Sequence, residues 1–259
     1  MHTDKVRDFI VNWLTTYCRD AGMHGFVIGV SGGIDSAVTS TLCALTGWNV
    51  VILNMPIYQP DVQRQLASEH IAWLEERFPK AKGVNVDLTP PFQALEDTLP
   101  DSIQDNLSMA NTRSRLRMLT LYAFASHHRM LVAGTGNKVE DFGVGFFTKY
   151  GDGGVDIAPI ADLMKSEVYT LGRELGIPEA IVDAPPTDGL WADNRTDEAQ
   201  LGASYAELEQ AMRFEQSGQD DTNLSERERD VLAIYRGLHE RNRHKMEPIP
   251  VAMIPDELR

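Results

Sequence analysis

Phe26-Val27-Ile28-Gly29-Val30-Ser31-Gly32-Gly33-Ile34-Asp35-Ser36 reads as a buried strand that breaks at glycines and re-enters as a helix. The β-prone run Phe26–Val30 stops at Ser31-Gly32-Gly33, and a helix follows from Ile34 to Leu45, ended by Gly47. Glycines let the backbone turn tightly and bring N–H groups against a bound anion. The helix that follows aims its positive end at the same place. Ser31 and Ser36 add hydroxyl donors. Asp35, in the first helical turn, is ill suited to a bare phosphate but well suited to holding Mg²⁺ on one. The loop lacks the Gly-Lys-Ser/Thr of a Walker A motif and the GxGxxG of a dinucleotide fingerprint. A plain glycine turn with an N-cap is the bland alternative, and it does not account for strand, loop, acid and helix arriving in this order.

Working outward, residues 3 to 22 predict an amphipathic helix, with Val6, Phe9, Ile10, Trp13, Leu14 and Tyr17 at helical spacing. Beyond the loop helix, Asn49–Met55 predicts a second strand, Val62–Phe78 a helix, and Gly83–Leu88 a third strand. A long helix covers Ile103–His127 and leads into a fourth strand, Met130–Ala133, which ends at Gly134-Thr135-Gly136. Further helices are expected at Lys165–Leu175, Ser204–Glu215 and Ser225–Arg241. Ala184–Thr196 and Gln216–Asn223 read as mobile loops. Alternating strands and helices predict an α/β fold: a mostly parallel open sheet, three layers deep, with helices on both faces. Ligands bind such sheets beyond the carboxyl ends of the strands, where both Gly-rich breaks fall. No composition break divides residues 1–259, so a single domain is expected.

The 259 residues suffice for a large core, and 42% hydrophobic with 24% charged residues is ordinary for a soluble globular chain. A formal charge of −14 argues against nucleic-acid partners and repels phosphorylated ligands, so any phosphate site must be built locally. No segment reaches the ~18 apolar residues of a membrane span, and the N-terminus lacks a signal-peptide core. Cys18 and Cys43 form no CxxC pair and the histidines show no HExxH spacing, which fits a reducing cytoplasm and excludes a cysteine-built zinc site.

The SGGxDS stretch resembles the pyrophosphate loop of enzymes that split ATP into AMP and pyrophosphate. Two further blocks resemble the NAD synthetase family: Asn111-Thr112-Arg113-Ser114-Arg115-Leu116-Arg117-Met118, and Gly134-Thr135-Gly136-Asn137-Lys138 through Gly145-Phe146-Phe147-Thr148-Lys149-Tyr150-Gly151-Asp152-Gly153-Gly154-Val155-Asp156. Lys165, Pro186-Thr187 and His244-Lys245 continue the pattern, which covers most of the chain from about residue 25. The resemblance implies a Rossmann-like fold of the adenine nucleotide alpha hydrolase type. It assigns Gly29, Val30, Ser31, Gly32, Gly33, Ile34, Asp35, Ser36, Thr135, Lys165 and Thr187 to ATP. Arg115, Lys149, Asp156, His244 and Lys245 go to deamido-NAD, the acid form of the dinucleotide. Asp35 and Glu140 hold Mg²⁺, and Asp152 and Lys165 are the catalytic residues. Counting back from Gly145 instead points to Asp141 as the second metal ligand, so the chain carries one residue more here than part of the family.

From the residues alone, Arg113 and Arg117, four apart, share a helix face open to solvent, and Arg115 stands on another face beside Met118, Leu119 and Tyr122. A turn-stabilising role competes for Asp152, and a solvated acidic turn for Glu140. The resemblance further implies the reaction: the nicotinate carboxylate attacks the α-phosphorus of ATP, pyrophosphate leaves, and ammonia displaces AMP. With the motif beginning by residue 29, no amidase domain is expected ahead of it, and free ammonia is the expected nitrogen source. A homodimer meeting near the long helix is also implied. A GMP synthetase ATPase subunit would share residues 29–36 without needing GFFTKYGDGG. A tRNA-thiolating enzyme fits neither the charge nor the cysteines, and a non-enzymatic adenine-nucleotide sensor would have little use for the full ligand set.

Overall fold

The computed structural model describes residues 1–59, 61–186 and 196–259. Four strands, β1 (Gly25–Gly29), β2 (Asn49–Asn54), β3 (Ala81–Asn85) and β4 (Leu131–Val132), form one all-parallel sheet in the order β3-β2-β1-β4. An isolated parallel bridge, Ala133 to Ile157, extends it at the β4 edge. The pleat sends successive side chains to opposite faces. Phe26, Ile28, Val50 and Ile52 pack under α1 (Thr3–Asp20), α2 (Ile34–Leu45), α3 (Asp61–Arg77) and α6 (Lys165–Glu174). Val27, Val51, Leu53 and Val132 pack against α4 (Thr89–Thr98) and α5 (Asn106–His128). The expected three layers are therefore present. A separate apolar cluster joins a π turn at Val139–Val144 to α9 (Tyr205–Ser217) and α10 (Glu226–Met246), with Leu201 of the short helix α8 (Asp197–Leu201), whereas α7 (Glu179–Val182) packs Ile181 and Val182 into the first core.

Several expectations are corrected. On α1 only part of the apolar set faces the core: Ile10 and Leu14 are buried, whereas Phe9, Trp13 and Tyr17 form a second, outward stripe. The third strand lies at Ala81–Asn85 rather than Gly83–Leu88. Ala81 pairs with Val50, and Gly83 passes so close beneath α3 that a Cβ there would stand 2.1 Å from Ile71 Cγ2. Leu88, the apolar end of the expected strand, is instead the buried N-cap residue of α4. That helix had no counterpart in the sequence expectation, and it carries Pro90-Pro91 in its first turn. Proline is tolerated in a first turn, where its missing N–H has no partner to lose. The long helix starts at Asn106, capped by Asp105, whose carboxylate accepts from the Leu107 and Ser108 N–H groups. The last helix runs a turn further than expected, so His244 and Lys245 belong to α10 and not to a tail. Gln216–Asn223 holds the end of α9 and a 3₁₀ turn, Asp221–Asn223.

Candidate active site

A cavity of about 850 Å³ opens beyond the carboxyl ends of β1 and β4. The glycine loop forms one end. Gly32 turns with φ +88°, and a Cβ there would stand 3.0 Å from the Gln63 carbonyl, so the loop closes only with glycine at that position. The two serines hold the turn: the Ser31 N–H donates to Ser36 Oγ (3.2 Å), Ser36 Oγ to the Gly33 carbonyl (3.0 Å), and the Gly33 N–H to Ser31 Oγ (3.3 Å).

Behind the loop lies a buried charge network. Lys165, at the first position of α6 and only 3% exposed, donates through Nζ to Asp35 Oδ2 (2.6 Å) and Glu140 Oε1 (2.9 Å). Burial works against the ammonium, but Asp35 and Glu140 outweigh it and hold its pKa above the ordinary lysine value. Burial also pushes Glu140 up, and Lys165, the Tyr205 hydroxyl and Asn137 together bring it below the usual carboxylate range. Asp35 stays above that range, burial exceeding the pull of Lys165. Two residues of this network, and a third beside it, carried no expectation. Tyr205 donates to Glu140 Oε1 (2.5 Å) and sets its ring 4.7 Å from the Lys165 ammonium. Asn137, fully buried, donates to Asp35 Oδ1 (3.0 Å). Glu209, one turn after Tyr205, accepts from the Ser166 N–H (2.8 Å) and so caps α6 at its start.

Val139–Val144, which holds both candidate acids, is a π turn, a widened form of helix frequent at functional sites. Both candidate acids line the cavity. Glu140, and not Asp141, shares Lys165 with Asp35. The Asp141 carboxyl lies against the Gly136 Cα, where a Cβ would come within 2.1 Å of its oxygens. Burial and the negative charge of Glu140, Asp152 and Asp35 push Asp141 well above the usual range.

The opposite wall is the loop Thr148–Gly154 with α5 and α10. Asp152, Lys149, Arg115, Thr135, His244 and Lys245 all line the cavity. Lys149 Nζ donates to the His244 carbonyl, and Lys245 Nζ to the carbonyls of Gly145 and Phe147. Arg115 is exposed and reaches the Lys149 carbonyl at 3.3–3.4 Å. Arg113 and Arg117 are half-buried rather than solvated: Arg117 donates to the Met55 carbonyl (3.0 Å) and Arg113 sits over Phe92. Asp156 lies off the cavity wall; its carboxylate accepts from the Tyr122 hydroxyl (3.0 Å) and the Val132 N–H (2.8 Å). Thr187, and with it most of the Ala184–Thr196 stretch, lies outside the described residues.

The donor chemistry suits Mg²⁺. Two carboxylates face one cation position that an ammonium now fills, and both offer the hard oxygens this ion prefers. Among the described residues no group of three or more His, Cys, Asp or Glu side chains surrounds a metal position. Mg²⁺ does not need one, because it is held by one or two carboxylates together with phosphates.

A parallel sheet with a glycine loop at its carboxyl edge, an acidic pair and a buried lysine fits the class of ATP-splitting enzymes whose pyrophosphate loop the SGGxDS stretch resembles. Comparison with known proteins narrows the class. A family model described as NAD synthase matches residues 6–249, and the chain belongs to that family. An NH3-dependent NAD+ synthetase of Methanosarcina acetivorans is 36% identical, over 97% of this chain and 98% of its own. One from Syntrophomonas wolfei is 36% identical over the whole of both chains. Among solved structures, an NMN synthetase from Francisella tularensis superposes with TM-score 0.85 at 34% identity, covering 99% of each chain. An NH3-dependent NAD synthetase from Campylobacter jejuni shares the fold, with TM-score 0.80 over 98% of this chain and all of its own at 24% identity. The fold is accordingly the Rossmann-like adenine nucleotide alpha hydrolase type.

Proposed function

We propose that this chain converts deamido-NAD to NAD, using ATP and ammonia through an adenylated nicotinate and releasing AMP and pyrophosphate. The observation that carries the reading is that one continuous cavity joins the glycine loop and its Asp35–Lys165–Glu140 network to the Lys149, Asp152 and His244 wall. The two reactants can then meet within it. The Ser31–Ser36 loop grips the pyrophosphate part of ATP, with Thr135 beside it, and a share for Thr187 rests on family resemblance. Asp35 and Glu140 would hold Mg²⁺, which would neutralise phosphate charge. Lys165, released from the carboxylates as that charge arrives, moves its ammonium onto the phosphates. Lys149, Arg115 and the His244–Lys245 pair position the dinucleotide. Asp156 ties loop to strand in this structure, and its share in dinucleotide binding rests on family resemblance.

Asp152 supplies a carboxylate for ammonium. The ion gives one proton to it, the freed lone pair attacks the acyl carbon, and the C–O bond breaks with its electrons leaving on AMP. A second N–H proton is lost to solvent as the amide forms. Ammonia as nitrogen source follows the names of the full-length relatives. We further infer that residues 1–259 work as one domain and that the enzyme is a homodimer, with the exposed Leu107 and Leu119 of α5 at its interface. The cytoplasm suits the two free, buried thiols. Among the described residues no helix is long and apolar enough to cross a membrane.

The Francisella structure, described as an NMN synthetase, motivates a second reading, in which the acid is a mononucleotide. The test is direct. Enzyme, ATP, Mg²⁺ and ammonium are incubated with deamido-NAD or with nicotinate mononucleotide, following amide product and AMP. Matched NAD and AMP, with the dinucleotide the better substrate, is expected. A preference for the mononucleotide would replace the first reading with the second, and AMP without either amide would end both.

A further inference from the structure

We propose that Ser114 is a positioning residue that fixes Asp152 with a single carboxylate oxygen turned to the cavity, and thereby shapes the ammonium site. The proposal rests on the reading of Asp152 given above. Ser114 lies on the buried face of α5 and makes a reciprocal pair with Asp152 across 38 residues of chain. Its hydroxyl donates to Asp152 Oδ1 at 2.6 Å, and its oxygen accepts from the Asp152 N–H at 2.8 Å. The single hydroxyl proton is thus committed to the carboxylate. The Thr148 N–H adds a third bond, to the same Oδ1, at 3.0 Å. No hydrogen bond to Oδ2 is made by the described residues, and Asp152 is on the cavity wall.

Two neighbouring features hold the pair together. A Cβ on Gly151 would stand 2.3 Å from Ser114 Oγ, so the turn approaches α5 this closely only with glycine there. One helical turn earlier, Asn111 accepts from Thr148 Oγ1 at 2.6 Å, and α5 therefore holds the loop at both ends. Without the Ser114 hydroxyl, Oδ1 keeps only the Thr148 bond, and the carboxylate is free to turn about its last torsion. The ionised form also loses a donor that holds its pKa down.

The test is Ser114→Ala, a change small enough to leave α5 packed, which a melting curve checks. Loss of a hydrogen bond to a charged group is expected to raise KM for ammonium about tenfold or more. KM for Mg²⁺·ATP and for deamido-NAD should stay at wild-type values. The acid limb of kcat/KM for ammonium should move to higher pH. In the resting enzyme, the ¹³C-carboxyl titration of Asp152 should shift the same way, a reading that needs no turnover. Equal changes in all three KM values with an unmoved acid limb and titration would mean Ser114 is merely structural and would overturn the proposal. Absence of amide product from the wild type would instead overturn the function reading, while the carboxyl titration still tests the Ser114–Asp152 pair.

Discussion

At the scale of single residues, Lys165 organises the phosphate end of the cavity. A buried ammonium held between two half-buried carboxylates is costly to remove, because the carboxylates are left facing each other without compensation. Lys165→Met should therefore destabilise the metal-free protein by about 3 kcal/mol, read by thermal or denaturant unfolding. Mg²⁺ should then restore more stability to the variant than it adds to the wild type, since it would enter the position the ammonium has left. Equal Mg²⁺ effects on both would show that Asp35 and Glu140 are not a metal pair. Family resemblance named Lys165, Asp35 and Glu140 from sequence, whereas Tyr205 and Asn137 carry no local signal. Tyr205 reaches Glu140 across 65 residues, and its neighbours read only as the start of an amphipathic helix. A long-range hydrogen bond between unlike side chains leaves no periodicity to detect.

At the scale of elements, the glycine loop depends on how α2 sits against α3. Ser40, one turn after Ser36 in α2, donates to the Ser36 carbonyl (2.7 Å) and pairs with His70 Nε2 of α3 (2.8 Å). His70 is almost fully buried, and burial lowers its pKa from 6.5 to about 4. A histidine that is neutral inside and titrates freely outside contributes its full stability above pH 6.5 and loses it as pH falls toward 4. The loss amounts to about 3 kcal/mol over that window. His70→Gln, which cannot titrate, should show a smaller drop in melting temperature between pH 7 and pH 4.5. A drop equal to that of the wild type would place the acid sensitivity elsewhere.

The elements most legible in sequence were those with an internal repeat or a hard stop. β1, the loop and α2 appear within a residue of their expected positions, because apolar run, glycines and helical spacing all agree there. The third strand misled because Val84, Val86 and Leu88 alternate as a strand would, although Leu88 caps α4. The π turn carried no local signal of its own. Its consequence, Glu140 turned to Lys165 and Asp141 turned to Gly136, depends on packing between distant segments.

At the scale of the whole molecule, a chain of net charge −14 needs positive groups gathered locally to hold phosphates, and loop N–H groups, Lys165, Lys149 and Lys245 surround one cavity. The sheet supplies the glycine loop, and the cluster of π turn, α9 and α10 supplies the wall opposite. The architecture follows from the alternation of elements, whereas the joining of the two halves of the site follows from packing between distant segments. The central claim is that this cavity joins the nicotinate carboxylate to the α-phosphorus of ATP. The most direct test labels that carboxylate of deamido-NAD with ¹⁸O and runs the reaction with Mg²⁺, ATP and ammonium. Adenylation predicts one ¹⁸O in each AMP formed and none in pyrophosphate. Label in pyrophosphate, or unlabelled AMP beside NAD, would contradict it.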